Sequence, residues 1–180
     1  MNQEQEGPPL TRKIRVADIE ENVDKTIVLT DAENATIKGL LELLELESLS
    51  FGYRLSSGSG GTVHLSGRLK ADTIQTCVVT LEPIPTAIDM ALDVEFWPAA
   101  MIEDLGKRAE DPSQSGVEDW PEPITAGVID LGPIVYETLA TALDPYPKKT
   151  GASFQWSQAE PEAEAPESGP FAALKQLKKT

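Results

Sequence analysis

A chain of 180 residues with 30 acidic against 15 basic side chains, a formal net charge of −15 at pH 7, is long enough for one domain of the commonest size with accessory segments. Both halves are acidic, which opposes the release of counterions from phosphates that drives nonspecific RNA or DNA binding and favours a basic partner instead; no DNA partner is expected. One cysteine and one histidine exclude an intramolecular disulfide, a multi-cysteine zinc site and a two-histidine metal site, so no cofactor or metal is expected.

Residues 1–9 read as a disordered start, without the positive and apolar regions of a secretory signal, and the longest apolar cluster, near Leu40, is broken by Glu42 and Glu45. Cytoplasmic residence without a membrane partner is the expectation. Residues 12–16 and 25–30 follow as short β-branched strands. Thr30 stands three residues before Glu33, the spacing of a capping box, and opens a helix whose leucine-rich face, Ile37, Leu40, Leu41 and Leu44, should be buried.

From Ser48 to Trp97 the period changes from 3.6 to 2, and four stretches are expected. Phe51, Tyr53 and Leu55 alternate before the glycine-rich turn 56–61, which lacks the following helix and Lys-Ser/Thr pair of a phosphate cradle. The returning strand sets Val63, Leu65 and Leu69 on one face and His64, Ser66, Arg68 and Lys70 on the other. Residues 74–81 show no clean alternation and suggest a buried or bulged third strand. Ile88, Met90, Leu92, Val94 and Phe96 alternate with polar or small residues in the fourth, which Pro98 ends.

Residues 99–126, rich in Glu, Asp, Gly, Pro and Ser, read as a flexible acidic insertion. Order should return at 128–131, before a helix with Pro133 in its first turn and a buried stripe of Leu131, Val135, Leu139 and Ala142. Asp144, Pro145 and Pro147 stop it. Residues 151–169 form an acidic linker, and 170–180 a short amphipathic basic tail with Phe171, Leu174 and Leu177 beside Lys175, Lys178 and Lys179. The expected fold is therefore α+β: a single domain over 10–150, with an antiparallel sheet as a meander or small partial barrel, two main helices, and a disordered acidic insertion and tail.

No catalytic residue stands out. Cys77 and His64 can be written as a nucleophile and base, but His64 falls on the polar face of its strand, where a surface histidine is the ordinary case. Asp89, Asp93 and Glu95 lie opposite an apolar stripe and so read as solvated, not as a buried acid/base pair. Candidate interaction residues are Arg68, Lys70 and Tyr53 on the sheet, and the apolar and lysine side chains of the tail.

The run from Cys77 to Pro83, Cys-Val-Val-Thr-Leu-Glu-Pro, resembles the C-x-R-C-L-E-P signature of the YceD-like family, with Cys77, Leu81, Glu82 and Pro83 in frame. Thr80 stands where that family has its second cysteine and Val79 where it has arginine. A second stretch resembles the family's other hallmark, in which Asp130, Leu131 and Gly132 lead into a helix and Asp144, Pro145 and Pro147 end it. The tail from Pro170 to Lys175 is similar to the ending of alphaproteobacterial-type members. The resemblance implies participation in accumulation or maturation of large-subunit (23S) ribosomal RNA. The negative charge favours contact with a basic ribosomal or assembly protein; direct RNA binding through Arg68, Lys70, Tyr53 or the lysine tail is the alternative.

Overall fold

Period-2 alternation over residues 45–98 builds the centre of the molecule. The computed structural model describes residues 8–21, 23–109 and 120–153. In chain order these form β1 (Lys13–Arg15), β2 (Lys25–Val28), α1 (Asp31–Leu40), β3 (Glu45–Ser57), β4 (Val63–Thr76), β5 (Pro83–Pro98), α2 (Ala99–Ala109), β6 (Glu122–Ile124), β7 (Val128–Asp130) and α3 (Leu131–Ala142). The main sheet runs β2-β3-β4-β5-β6, antiparallel except for the parallel β5–β6 pair, and β1 and β7 form a small second sheet. The α+β class and the β3-β4-β5 meander thus follow the sequence reading. No helix among the described residues is long and apolar enough to cross a membrane.

Phe51 on β3 and Val63, Leu65 and Leu69 on β4 point to one face and are fully buried, joined by Phe96 of β5. Ile37 of α1 and Leu131, Val135 and Leu139 of α3 complete a single apolar cluster over that face. The opposite face carries Arg54, Arg68, Lys70, Asp72, Asp89, Asp93 and Glu95, all exposed. This is the one-sided antiparallel arrangement that the alternation implied. Gly67 has a packing reason: a Cβ there would lie 2.5 Å from the Phe51 ring, which instead passes over the bare backbone and stacks on Tyr53 with centroids 5.7 Å apart.

The capping box forms as expected. The Glu33 amide donates to the Thr30 hydroxyl at 3.3 Å and the Thr30 amide to Glu33 Oε2 at 2.9 Å. Arg12 adds a two-pronged ion pair to Glu33, at 2.6 and 2.8 Å. The guanidinium and the Thr30 amide together hold the Glu33 carboxyl down at about 2.

Three expectations need correcting. The leucine face of α1 is not buried throughout: Ile37 is, but Leu40 and Leu44 are exposed and Leu43 and Leu46 are buried in their place. The helix stops because Glu42 adopts φ +52, its amide donating to Gly39 O and that of Leu43 to Lys38 O. That is a Schellman ending with glutamate where glycine is usual. Second, 48–97 holds three long strands, not four stretches. Residues 74–76 belong to the end of β4 and 77–82 make a turn, because the inward positions there are the buried polar Thr73 and Gln75, which mask the alternation. Third, the 99–126 insertion opens with α2 and closes with β6. Ala99 and Ala100 follow Pro98 as helix formers, and α2 supplies the crossover that a parallel β5–β6 pair requires.

Candidate functional site

The Cys77–Pro83 signature is the connection between β4 and β5. Its turn closes on itself: the Cys77 amide donates to Glu82 O at 2.8 Å and the Leu81 amide to Cys77 O at 2.9 Å, with Leu81 at φ +60. Val78 and Leu81 are left exposed.

The same turn is fastened to the stretch that ends α3, so the two hallmarks meet in space. The Val78 amide donates to Pro147 O at 2.9 Å. Gln75 Nε2 donates to Asp144 O at 2.9 Å, the Lys149 amide to Cys77 Sγ at 3.4 Å, and Lys149 Nζ to Glu82 at 2.9 Å. Asp144 in turn accepts from the Tyr146 amide at 2.9 Å, which sets the bend at Pro145–Pro147.

The Cys77 thiol is fully buried. Its sulfur also accepts the Thr80 amide at 3.4 Å. The Lys149 amide, followed by the Thr80 hydroxyl and amide, favours the thiolate and brings the thiol down to about 6. Thr80, at the second-cysteine position, places its hydroxyl 3.2 Å from Glu82. His64 takes no part. It pairs with Asp93 at 2.8 Å on the open face, and the strand length from residue 64 to 77, about 3.3 Å per residue, holds the two side chains roughly 40 Å apart on opposite faces. Sealed thiol and distant imidazole do not make a nucleophile and base.

At the other end of α3, Asp130 caps the helix by accepting the Gly132 amide at 3.0 Å and the Arg12 amide at 2.7 Å. The Leu131 amide donates to Arg12 O at 3.1 Å, and Leu131 is fully buried. Gly132 is required by contact, since a Cβ there would stand 2.2 Å from Leu10 O. Asp130, Leu131 and Gly132 thus clamp the N-terminal segment to α3.

Arg68 and Lys70 lie on the open face, whereas Tyr53 projects to the other face with Phe51 and packs against the core. The structure therefore does not gather the three into one patch. Arg68 is ion-paired with Asp89, which sits opposite Lys70 in register; Arg54 is paired with Asp24. Phe171, Leu174, Lys175, Lys178 and Lys179 lie outside the described residues. Sequence reasoning missed Gln75 and Lys149, which tie the signature turn to the end of α3 through backbone and sulfur atoms that no side-chain pattern announces.

A family model described as "Large ribosomal RNA subunit accumulation protein YceD" matches residues 65–178, more than half of the chain, including both hallmarks. No curated protein and no solved structure matches.

Proposed function

We propose, since the chain belongs to the YceD family, that it is a non-enzymatic cytoplasmic accessory factor that promotes accumulation or maturation of large-subunit (23S) ribosomal RNA by binding a basic ribosomal or assembly protein. The observation that carries the choice of partner is the charge of the open sheet face. Its arginines are already matched, Arg68 by Asp89 and Arg54 by Asp24, which leaves Asp72, Asp93 and Glu95 against Lys70. Together with the net charge of −15, such a face attracts a cationic protein and repels a phosphate backbone. A direct RNA-binding reading draws on one feature of the same face, Lys70 beside Arg68 among the small outward residues Ser50, Gly52 and Ser66.

The test is capture from lysate on the full-length protein at low salt, with and without nuclease, joined to measurement of large-subunit RNA after depletion. The proposal expects a basic large-subunit or assembly protein to remain bound after nuclease, to be released as salt rises, and mature large-subunit RNA to fall on depletion. Capture that disappears with nuclease moves the assignment to the RNA reading. Unchanged RNA on depletion overturns both.

A further inference from the structure

We propose that the groove between the end of α1, the 77–82 turn and the 143–147 segment is the docking site for this chain's own C-terminal segment, with Phe171, Leu174 and Leu177 as anchors. The groove holds a cavity of about 430 Å3 lined by Leu41, Gln75, Val78, Leu143, Pro145 and Pro147, among others, within the ~300–1,000 Å3 usual for binding clefts. Of the ten large apolar side chains exposed among the described residues, Val78 lines the cavity itself, and Leu40, Leu81 and Tyr146 belong to the elements that frame it. Apolar surface gathered in this way marks a contact site.

Two polar features say what enters. Gln75 is only 8% exposed. Its Nε2 is committed to Asp144 O, while its Oε1 has no partner among the described residues. A buried acceptor left open calls for an N–H donor from an occupant. The charged residues lining the cavity, Glu42 and Asp144, are both acidic, so the fitting occupant is apolar with positive charge beside it.

The segment 170–180 has that chemistry: three apolar anchors three residues apart, with Lys175, Lys178 and Lys179 beside them. It is also within reach. The described chain runs to Ser153, six residues beyond Pro147 and close to Lys149, whose amide is held by Cys77. A Gly-rich chain as long as residues 154–169 would span a root-mean-square distance of about 20–24 Å, and the four glutamates and two prolines of this segment favour a longer reach. A tether of that reach gives an effective concentration in the millimolar range, so an affinity too weak to act between molecules fills the groove within one. The family match takes in two walls of the groove, the 77–82 turn and the 143–147 segment, together with the tail to residue 178.

The test uses the purified full-length chain and no ribosomal component, so its outcome is independent of the function proposed above. Phe171 is replaced by the photoreactive p-benzoylphenylalanine, the protein is irradiated at low micromolar concentration, and crosslinks are mapped by mass spectrometry. The expected result is crosslinking within one chain to peptides containing Leu41, Val78 or residues 143–147. Val78→Lys, at an exposed position that leaves the core untouched, should lower that yield at least fivefold with unchanged circular dichroism. Crosslinks elsewhere on the domain, crosslinks only between chains, no crosslink, or a yield indifferent to Val78→Lys each overturn the proposal.

Discussion

Replacing Gly132 with alanine sets two physical effects of opposite sign against each other. Helix propensity favours alanine over glycine by about 1 kcal/mol in a helix interior, and Gly132 is the second residue of α3. The contact geometry says the reverse: the new Cβ would stand 2.2 Å from Leu10 O, 2.5 Å from Leu10 C and 2.6 Å from Thr11 Cα. All three are backbone atoms, which cannot step aside as a side-chain tip can. Moving that segment draws the buried Leu10 outward and lengthens the bonds from the Arg12 amide to Asp130 and from the Leu131 amide to Arg12 O. Overpacking of this kind costs about 1–3 kcal/mol, and weakening two hydrogen bonds adds about 1 kcal/mol. Against the propensity gain, which about cancels the hydrogen-bond loss, Gly132→Ala should destabilise by about 1–3 kcal/mol. Urea unfolding followed by far-ultraviolet circular dichroism, with the slope held equal to wild type, measures this directly. An unchanged or higher midpoint would refute the claim that close approach fixes glycine here.

Three further outcomes follow from the same geometry. Glu33→Gln should lower stability by about 1 kcal/mol at neutral pH. Because Glu33 sits at about 2 in the folded chain, against an ordinary value of 4.5, its contribution is complete above pH 4.5 and lost as pH falls towards 2. The gap between wild type and variant in urea titrations should close over that range; a gap constant from pH 5 to 2 would count against the Arg12–Glu33 bond. The Cys77 thiol, at about 6 against an ordinary 9, adds stability that is fully present above pH 9 and lost as pH falls through 6. Unfolding free energy should therefore rise from pH 6 to 9 more steeply in wild type than in Cys77→Ala, and parallel profiles would exclude a folded-state thiolate. Glu42→Gly removes a non-glycine residue from φ +52 and should raise stability by about 0.5–1 kcal/mol, read as a higher urea midpoint; a lower one would show that the glutamate side chain outweighs backbone strain.

Local chemistry explains what was legible in the sequence. Thr30 and Glu33 announce the start of α1 because both partners of the capping box lie within four residues. β5 and the burial stripe of α3 are equally plain, each being a single period sustained over several residues. Legibility fails where the fold departs from the apolar/polar code. Thr73 and Gln75 occupy inward positions, so the alternation that continues from Val63 to Cys77 looks broken. Glu42 ends α1 in a conformation for which the sequence offers no glycine. The three turns of α2 vanish in a composition averaged over an acidic stretch. On the open face, period 2 separated Tyr53 from Arg68 and Lys70; grouping them by residue type hid a difference of face that counting positions reveals.

The join between the hallmarks also explains how the signature turn holds its shape with one cysteine. The resemblance implies a cysteine pair at positions 77 and 80, yet what Cys77 receives from position 80 includes a backbone N–H, which threonine supplies as well. The Thr80 hydroxyl faces Glu82, Glu82 holds Lys149, and the Lys149 amide returns to the Cys77 sulfur. The circuit needs one sulfur acceptor, one carboxylate and one lysine, all present here. Cys77 therefore acts as a buried acceptor that fastens the end of α3 to the sheet. That fastening fixes where the described chain leaves the domain, and so where the basic tail begins its reach.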